Sequence, residues 1–117
     1  MKIGFVGAGN MATAIIKGYR KQSQDEIWAY DIDSQKLAQL EPLDVKAAQS
    51  LSAMAGEMDY LFLAVKPQNF AEVLPEIGKT LGKDTVVVSI AAGISSAYLK
   101  SELGEDTKIV RAMPYTP

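Results

Sequence analysis

Gly7-Ala8-Gly9-Asn10-Met11-Ala12 constrains this chain more than any other stretch. An apolar run, Lys2–Val6, leads into it, and Met11–Arg20 follows with apolar residues at helical spacing. A strand that passes through G-x-G-x-x-A into a helix is the dinucleotide-binding pattern. Each small residue has a mechanical role in it. Gly7 permits the tight turn, Gly9 lets the backbone approach a pyrophosphate, and Ala12 lets the helix pack closely on the strand. The helix opening at Asn10 and Met11 aims free N–H groups and a positive dipole end at phosphates. The competing reading is a strand–turn–helix corner that binds nothing.

Beyond this corner, strands and helices alternate, which argues for a parallel sheet covered by helices. The expected strands are Lys2–Val6, Glu26–Tyr30, Val45–Ala47, Asp59–Ala64, Thr85–Ile90 and Lys108–Ala112. The expected helices are Met11–Lys21, Ser34–Leu40 and a short one from a Ser50 cap to Ala55, ended by Gly56. Asp33 or Ser34 caps the second of these, and Pro42 stops it. A further helix opens at Pro67, with Phe70, Val73, Leu74 and Ile77 on one face and Pro75 as a kink or break. The last is Ile94–Leu103. Residues 1–117 therefore read as one α/β domain, a doubly wound parallel sheet of Rossmann type. Its strand order is 3-2-1-4-5-6, with the ligand crevice at the carboxyl ends of strands one and four.

Composition narrows the chemistry. The 117 residues contain no cysteine and no histidine. A thiolate nucleophile, a Ser–His or Cys–His pair and a zinc site are not expected, so the reactive group must come from a cofactor. The net charge of −2 shows no field suited to nucleic acid or an anionic membrane. No apolar run is long enough for a membrane span, and no signal peptide is recognised. With no cysteine, a cytoplasmic setting is expected.

Asp31 ends the second strand, about twenty residues past the glycine turn. A carboxylate there holds the adenosine ribose hydroxyls of NAD. The alternatives are a solvated loop acid or a helix cap. The carboxylate would repel a 2′-phosphate, and Lys36 is the only close cation, so the residues lean toward NAD over NADP. Ala64-Val65-Lys66-Pro67 closes the fourth strand beside the crevice, with Lys66 either a site cation or a surface lysine. Ser89–Ser95 closes the fifth. Ala91, Ala92 and Gly93 are small enough for a flat ring to lie against the backbone, or they form a tight turn with Ser95 as a cap. Trp28 and Tyr30 read as sheet packing, and the five methionines as core filler.

Taken together, Gly7–Ala12, Ala64–Gln68, Ser89–Ser95 and Arg111–Pro117 resemble the motifs of Δ1-pyrroline-5-carboxylate reductase. The resemblance runs the length of the chain. It implies hydride transfer from NADH or NADPH to the C=N carbon of a small-molecule substrate, 1-pyrroline-5-carboxylate, giving L-proline. It further implies that Val6, Gly7, Ala8, Gly9, Asn10 and Met11 hold the pyrophosphate. Ala64, Val65, Lys66 and Pro67 would border the nicotinamide end, and Ala91 to Gly93 would lie near the ring and substrate. Catalytic residues are not assigned. Two departures stand out. The family usually has asparagine where Tyr115 stands, and family members continue into a helical C-terminal domain that makes the homo-oligomer, completes the substrate pocket and supplies the proposed proton donor. The many members using NADP also lack an acid at the Asp31 position, so the choice between NAD and NADP stays open. The expectation for these 117 residues is coenzyme binding with little or no turnover. A non-catalytic nucleotide-binding module and the N-terminal domain of a β-hydroxyacid-type dehydrogenase are the alternatives.

Overall fold

From Ile3 to Val6 the first strand is buried on both faces, as suits the centre of a parallel sheet. In the computed structural model, which describes residues 1–112, this strand (β1, Lys2–Val6) lies between β2 (Glu26–Tyr30) and β4 (Tyr60–Leu63). The strand β3 (Val45–Ala47) pairs with β2, β5 (Val86–Ser89) with β4, and β6 (Lys108–Arg111) with β5. All pairings are parallel, and the order is β3-β2-β1-β4-β5-β6. This is the doubly wound topology that the alternating pattern implies. Its strand order turns back between β1 and β4, which opens a crevice at their carboxyl ends.

Five helices cover the sheet: α1 (Asn10–Arg20), α2 (Ser34–Ala38), α3 (Leu51–Ala55), α4 (Phe70–Thr80) and α5 (Ser96–Leu103). Side chains alternate across the pleat, so two cores form. Ile3, Phe5, Ile27 and Ala29 pack with Ala12 and Ile16 of α1 and with Leu40. Val6, Leu61, Leu63 and Val87 pack with Leu51 and Met54 of α3, Phe70, Leu74 and Ile77 of α4, and Leu99 of α5. Ala12 is fully buried, which fits its expected role in close helix–strand packing. None of the helices is long and apolar enough to cross a membrane.

Two helices depart from the sequence reading. The second ends at Ala38, because Leu40 is drawn fully into the core. A 3-10 turn, Glu41–Leu43, then carries Pro42 near its start, where the missing N–H costs nothing. Asp33, not Ser34, caps α2 by accepting from the Gln35 N–H. The helix expected from Pro67 begins as a 3-10 turn, Pro67–Asn69, and α4 then runs through Pro75 unbroken. Pro75 and Ala71, whose carbonyl loses its partner, are both exposed, so water can satisfy that carbonyl. The remaining boundaries agree to within two residues. Ser50 and Ser95 are the caps expected of them. Tyr115 and the rest of 113–117 lie outside the described residues.

One buried side-chain polar atom has no partner among the described residues. Ser89 Oγ is buried near the carboxyl end of β5 without a hydrogen bond. An unsatisfied buried hydroxyl costs roughly 1 kcal/mol or more. Ser89→Ala is therefore expected to hold or raise the midpoint of thermal unfolding, by up to about 5 °C.

Two carboxylates at the start of β2, Asp25 and Glu26, imply an acid sensitivity. The hydroxyl of Tyr19, then that of Ser23, holds Asp25 below its ordinary pKa. The Trp28 indole N–H, donating at 2.6 Å, does the same for Glu26, with Lys46 at 3.3 Å assisting. Both groups favour the folded state while ionised. The unfolded chain takes up their protons first, so stability is full above the ordinary carboxylate range and is lost as pH falls through the lowered folded values. Thermal midpoints measured from about pH 6 down to about pH 3 should fall, and Asp25→Asn should flatten that fall.

Candidate functional site

The turn after β1 is wedged between its neighbours. The Gly7 N–H donates to the Tyr30 carbonyl at 2.8 Å, and the Ala64 N–H donates to the Val6 carbonyl at 2.8 Å. Gly7 has φ +103°, in the region that favours glycine. A Cβ there would lie 2.7 Å from the Ala64 carbonyl oxygen and 3.0 Å from Val65 Cγ1. The fold itself therefore requires glycine at this position. Gly9 is different. Its φ of −82° suits any residue, and a Cβ there would meet nothing within 4 Å. No atom of the described residues demands a glycine at 9, so its missing side chain leaves a clear approach from outside.

That approach leads to the start of α1. No side chain caps this end, and no acidic residue lies in its first turn. The amides of the exposed residues Asn10 and Met11 have no preceding helical carbonyl to bond. They form a small electropositive cradle at the surface, well suited to a phosphate or another anion. Lys17 and Arg20 occupy the opposite end of the helix, where they complement the dipole.

Asp31 is half-buried beside this cradle. Its Oδ2 accepts from the Ala8 N–H at 2.9 Å and its Oδ1 from the Asp33 N–H at 2.9 Å. It is thus neither a loose surface acid nor the α2 cap, which is Asp33. It ties the β1–α1 turn to the β2–α2 loop, and each carboxylate oxygen keeps further acceptor capacity. Lys36 is exposed on α2.

The structure brings Val6, Gly7, Ala8, Gly9, Asn10, Met11 and Asp31 to one corner, with Ala64 and Val65 against Gly7. Lys66 and Pro67 follow, exposed, on the same edge, and no ion pair engages Lys66 among the described residues. Ala91 lies at the end of β5, two strands from β1, in a turn where Gly93 has φ +81°. Trp28 and Tyr30 are partly buried against the α3–α5 core, as packing residues should be. An open groove of about 370 Å³ by Trp28, Ala47, Met54 and Met58 contains none of the corner residues. Among the described residues no cluster of acids could hold a metal.

Two residues at this corner escape a reading by type. Met11 is 40% exposed, so it is not core filler, unlike buried Met54 and Met58. Ile32 is 92% exposed although it is large and apolar. Its one sequence signal is its place between two acids, Asp31-Ile32-Asp33.

A family model described as NADP oxidoreductase, coenzyme F420-dependent, matches residues 2–93. The chain belongs to this family. A pyrroline-5-carboxylate reductase of Escherichia coli (strain K12) is 45% identical to it over 120 residues, which is 99% of this chain and 45% of that protein. The chain thus spans under half the length of that relative. A solved pyrroline-5-carboxylate reductase from Coxiella burnetii matches 98% of this chain and 44% of its own, with a TM-score of 0.89 at 33% identity. The Plasmodium falciparum pyrroline carboxylate reductase solved with NADP bound matches 97% of this chain and 42% of its own, with a TM-score of 0.81 at 25% identity. These are the relatives that the four motifs imply.

The contrast between the two glycines can be measured. Gly7→Ala is expected to destabilise the protein by about 2 kcal/mol or more, through strained φ and the contact with Ala64. Gly9→Ala is expected to fold with a stability within about 0.5 kcal/mol of the parent. Chemical denaturation of both variants tests this.

Proposed function

We propose that this chain is the NAD(P)H-binding part of a pyrroline-5-carboxylate reductase, an oxidoreductase that forms L-proline. The observation that carries the reading is the uncapped start of α1 behind Gly9, open to solvent and flanked by the Asp31 carboxylate. A dinucleotide matches this arrangement in charge and in shape. In this reading the amides of Asn10 and Met11 hold the pyrophosphate, and Val6, Gly7 and Ala8 form the floor beneath it. Asp31 accepts from the ribose hydroxyls through its remaining lone pairs. A 2′-phosphate would sit against that carboxylate, so NADH is preferred over NADPH. Ala64, Val65, Lys66, Pro67 and Ala91 line the nicotinamide end of the same carboxyl edge.

When bound, the reduced nicotinamide supplies a hydride. The substrate, 1-pyrroline-5-carboxylate, receives it at the C=N carbon and a proton at the nitrogen. A protonated imine is already electrophilic, so the protein's task is to orient two reactants and to exclude water. A chain without histidine or cysteine is equal to that task when the cofactor brings the chemistry. The remaining length of the relatives is the natural place for the rest of the substrate pocket.

Titration of the 117-residue chain with NADH and with NADPH tests the proposal. Saturable binding of NADH, stronger than that of NADPH, is expected. Gly9→Val should weaken it at least about tenfold while the protein stays folded, and Asp31→Ser should move the preference toward NADPH. Little proline should form without the rest of the relatives' length. Failure to bind either coenzyme, or an unchanged affinity in Gly9→Val, would overturn the reading.

A further inference from the structure

Sulfur chemistry in this chain rests on its methionines alone, because it has no cysteine. Met54 and Met58 are closed off in the core, at 2% and 4% exposure. Met1 is 63% exposed, but it lies at the amino edge of the sheet, where its α-amino group faces Asp25 at 3.9 Å. Met11 is 40% exposed and lies at the opposite, carboxyl edge, in the first turn of α1. Helical side chains lean toward the N-terminus of their helix, so that of Met11 is directed over the turn that precedes it, Gly7–Gly9. No side chain caps this end of α1, no acid lies in its first turn, and a Cβ at Gly9 would meet nothing within 4 Å. A flexible thioether therefore stands beside the free amides of the cradle with room to move.

We propose that Met11 is an oxidation site that controls anion binding at the start of α1. The inference rests on the coenzyme reading above and adds to it a means of regulation. The oxidant is a peroxide. A sulfur lone pair attacks one peroxide oxygen, the O–O bond breaks, that oxygen stays on sulfur, and the other leaves as water after proton transfer. Sulfur loses two electrons and the peroxide gains them. The apolar thioether becomes a polar sulfoxide whose oxygen carries negative partial charge and accepts hydrogen bonds. At the positive end of α1, that oxygen is stabilised by the same amides that would hold a diphosphate. It competes with the coenzyme for those donors. Buried Met54 and Met58 are shielded from the oxidant while the chain is folded. Enzymatic reduction of the sulfoxide returns the thioether, so the change is reversible.

The test treats the 117-residue chain with hydrogen peroxide and locates the added oxygen by peptide mass spectrometry. The treated chain is then titrated with NADH and with ADP-ribose, which keeps the diphosphate but has no redox-active ring. Met11 is expected to gain an oxygen atom ahead of Met54 and Met58. The oxidised chain should bind both ligands about fivefold more weakly or worse, with its midpoint of thermal unfolding unchanged. A methionine sulfoxide reductase should restore the affinity. In Met11→Leu the same treatment should change that variant's own affinities by less than about twofold, whereas the double variant Met1→Leu/Met113→Leu should keep the full loss. ADP-ribose present during treatment should slow oxidation of Met11 and not that of Met1. A Met11 that resists oxidation, an oxidised Met11 with affinities unchanged, or a loss in Met11→Leu equal to the parent's overturns the proposal. If the untreated chain binds neither NADH nor ADP-ribose, the coenzyme reading fails, and this inference falls with it.

Discussion

The close approach of Gly7 to the Ala64 carbonyl is the contact on which the site depends. With 2.7 Å between that oxygen and the position of an absent Cβ, no side chain fits without moving β4 away from β1. These two strands border the point where the sheet order turns back. Because β1 can turn there at φ +103°, α1 begins immediately above the sheet edge instead of a few residues further on. The amides at its start, the end of β2 and the Ala64–Val65 backbone then meet at one corner.

Backbone supplies most of what that corner offers. The cradle at Asn10 and Met11 is made of N–H groups and a helix dipole. The chief side-chain contribution, Asp31, is itself oriented by two amides. Such an arrangement needs little reorganisation when an anion arrives, because its donors are already held by secondary structure. It also accounts for the composition. A corner built of amides, small residues and one carboxylate has no use for histidine or cysteine, and the chain has neither.

Much of this was legible in the residues. Alternating apolar runs and turn signals located six strands, and the parallel topology followed from helices lying between them. The glycine motif located the corner, and the offset of Asp31 from it picked out the one acid that the structure places there. The errors share a cause. The second helix was drawn too long because Leu40 continues its apolar spacing, yet burial of that residue bends the chain out of the helix. Pro75 read as a kink or a break, and the helix runs through it unbroken, because the effect depends on whether the orphaned carbonyl reaches water, which is a property of the assembled surface. Met11 and Ile32 were indistinguishable by type from core residues, since exposure is decided by neighbours distant in sequence.

Local chemistry therefore settled the order of elements, the place of the tight turn at Gly7 and the absence of histidine and cysteine. These depend on the residue itself and on those within a few positions of it. The motif suggested separate roles for Gly7 and Gly9, but only tertiary packing shows that a Cβ at Gly7 would strike the Ala64 carbonyl while one at Gly9 would meet no described atom. Tertiary packing decided too that Asp31 closes onto the Ala8 amide, because that bond spans 23 residues and exists only when β1 and β2 lie side by side.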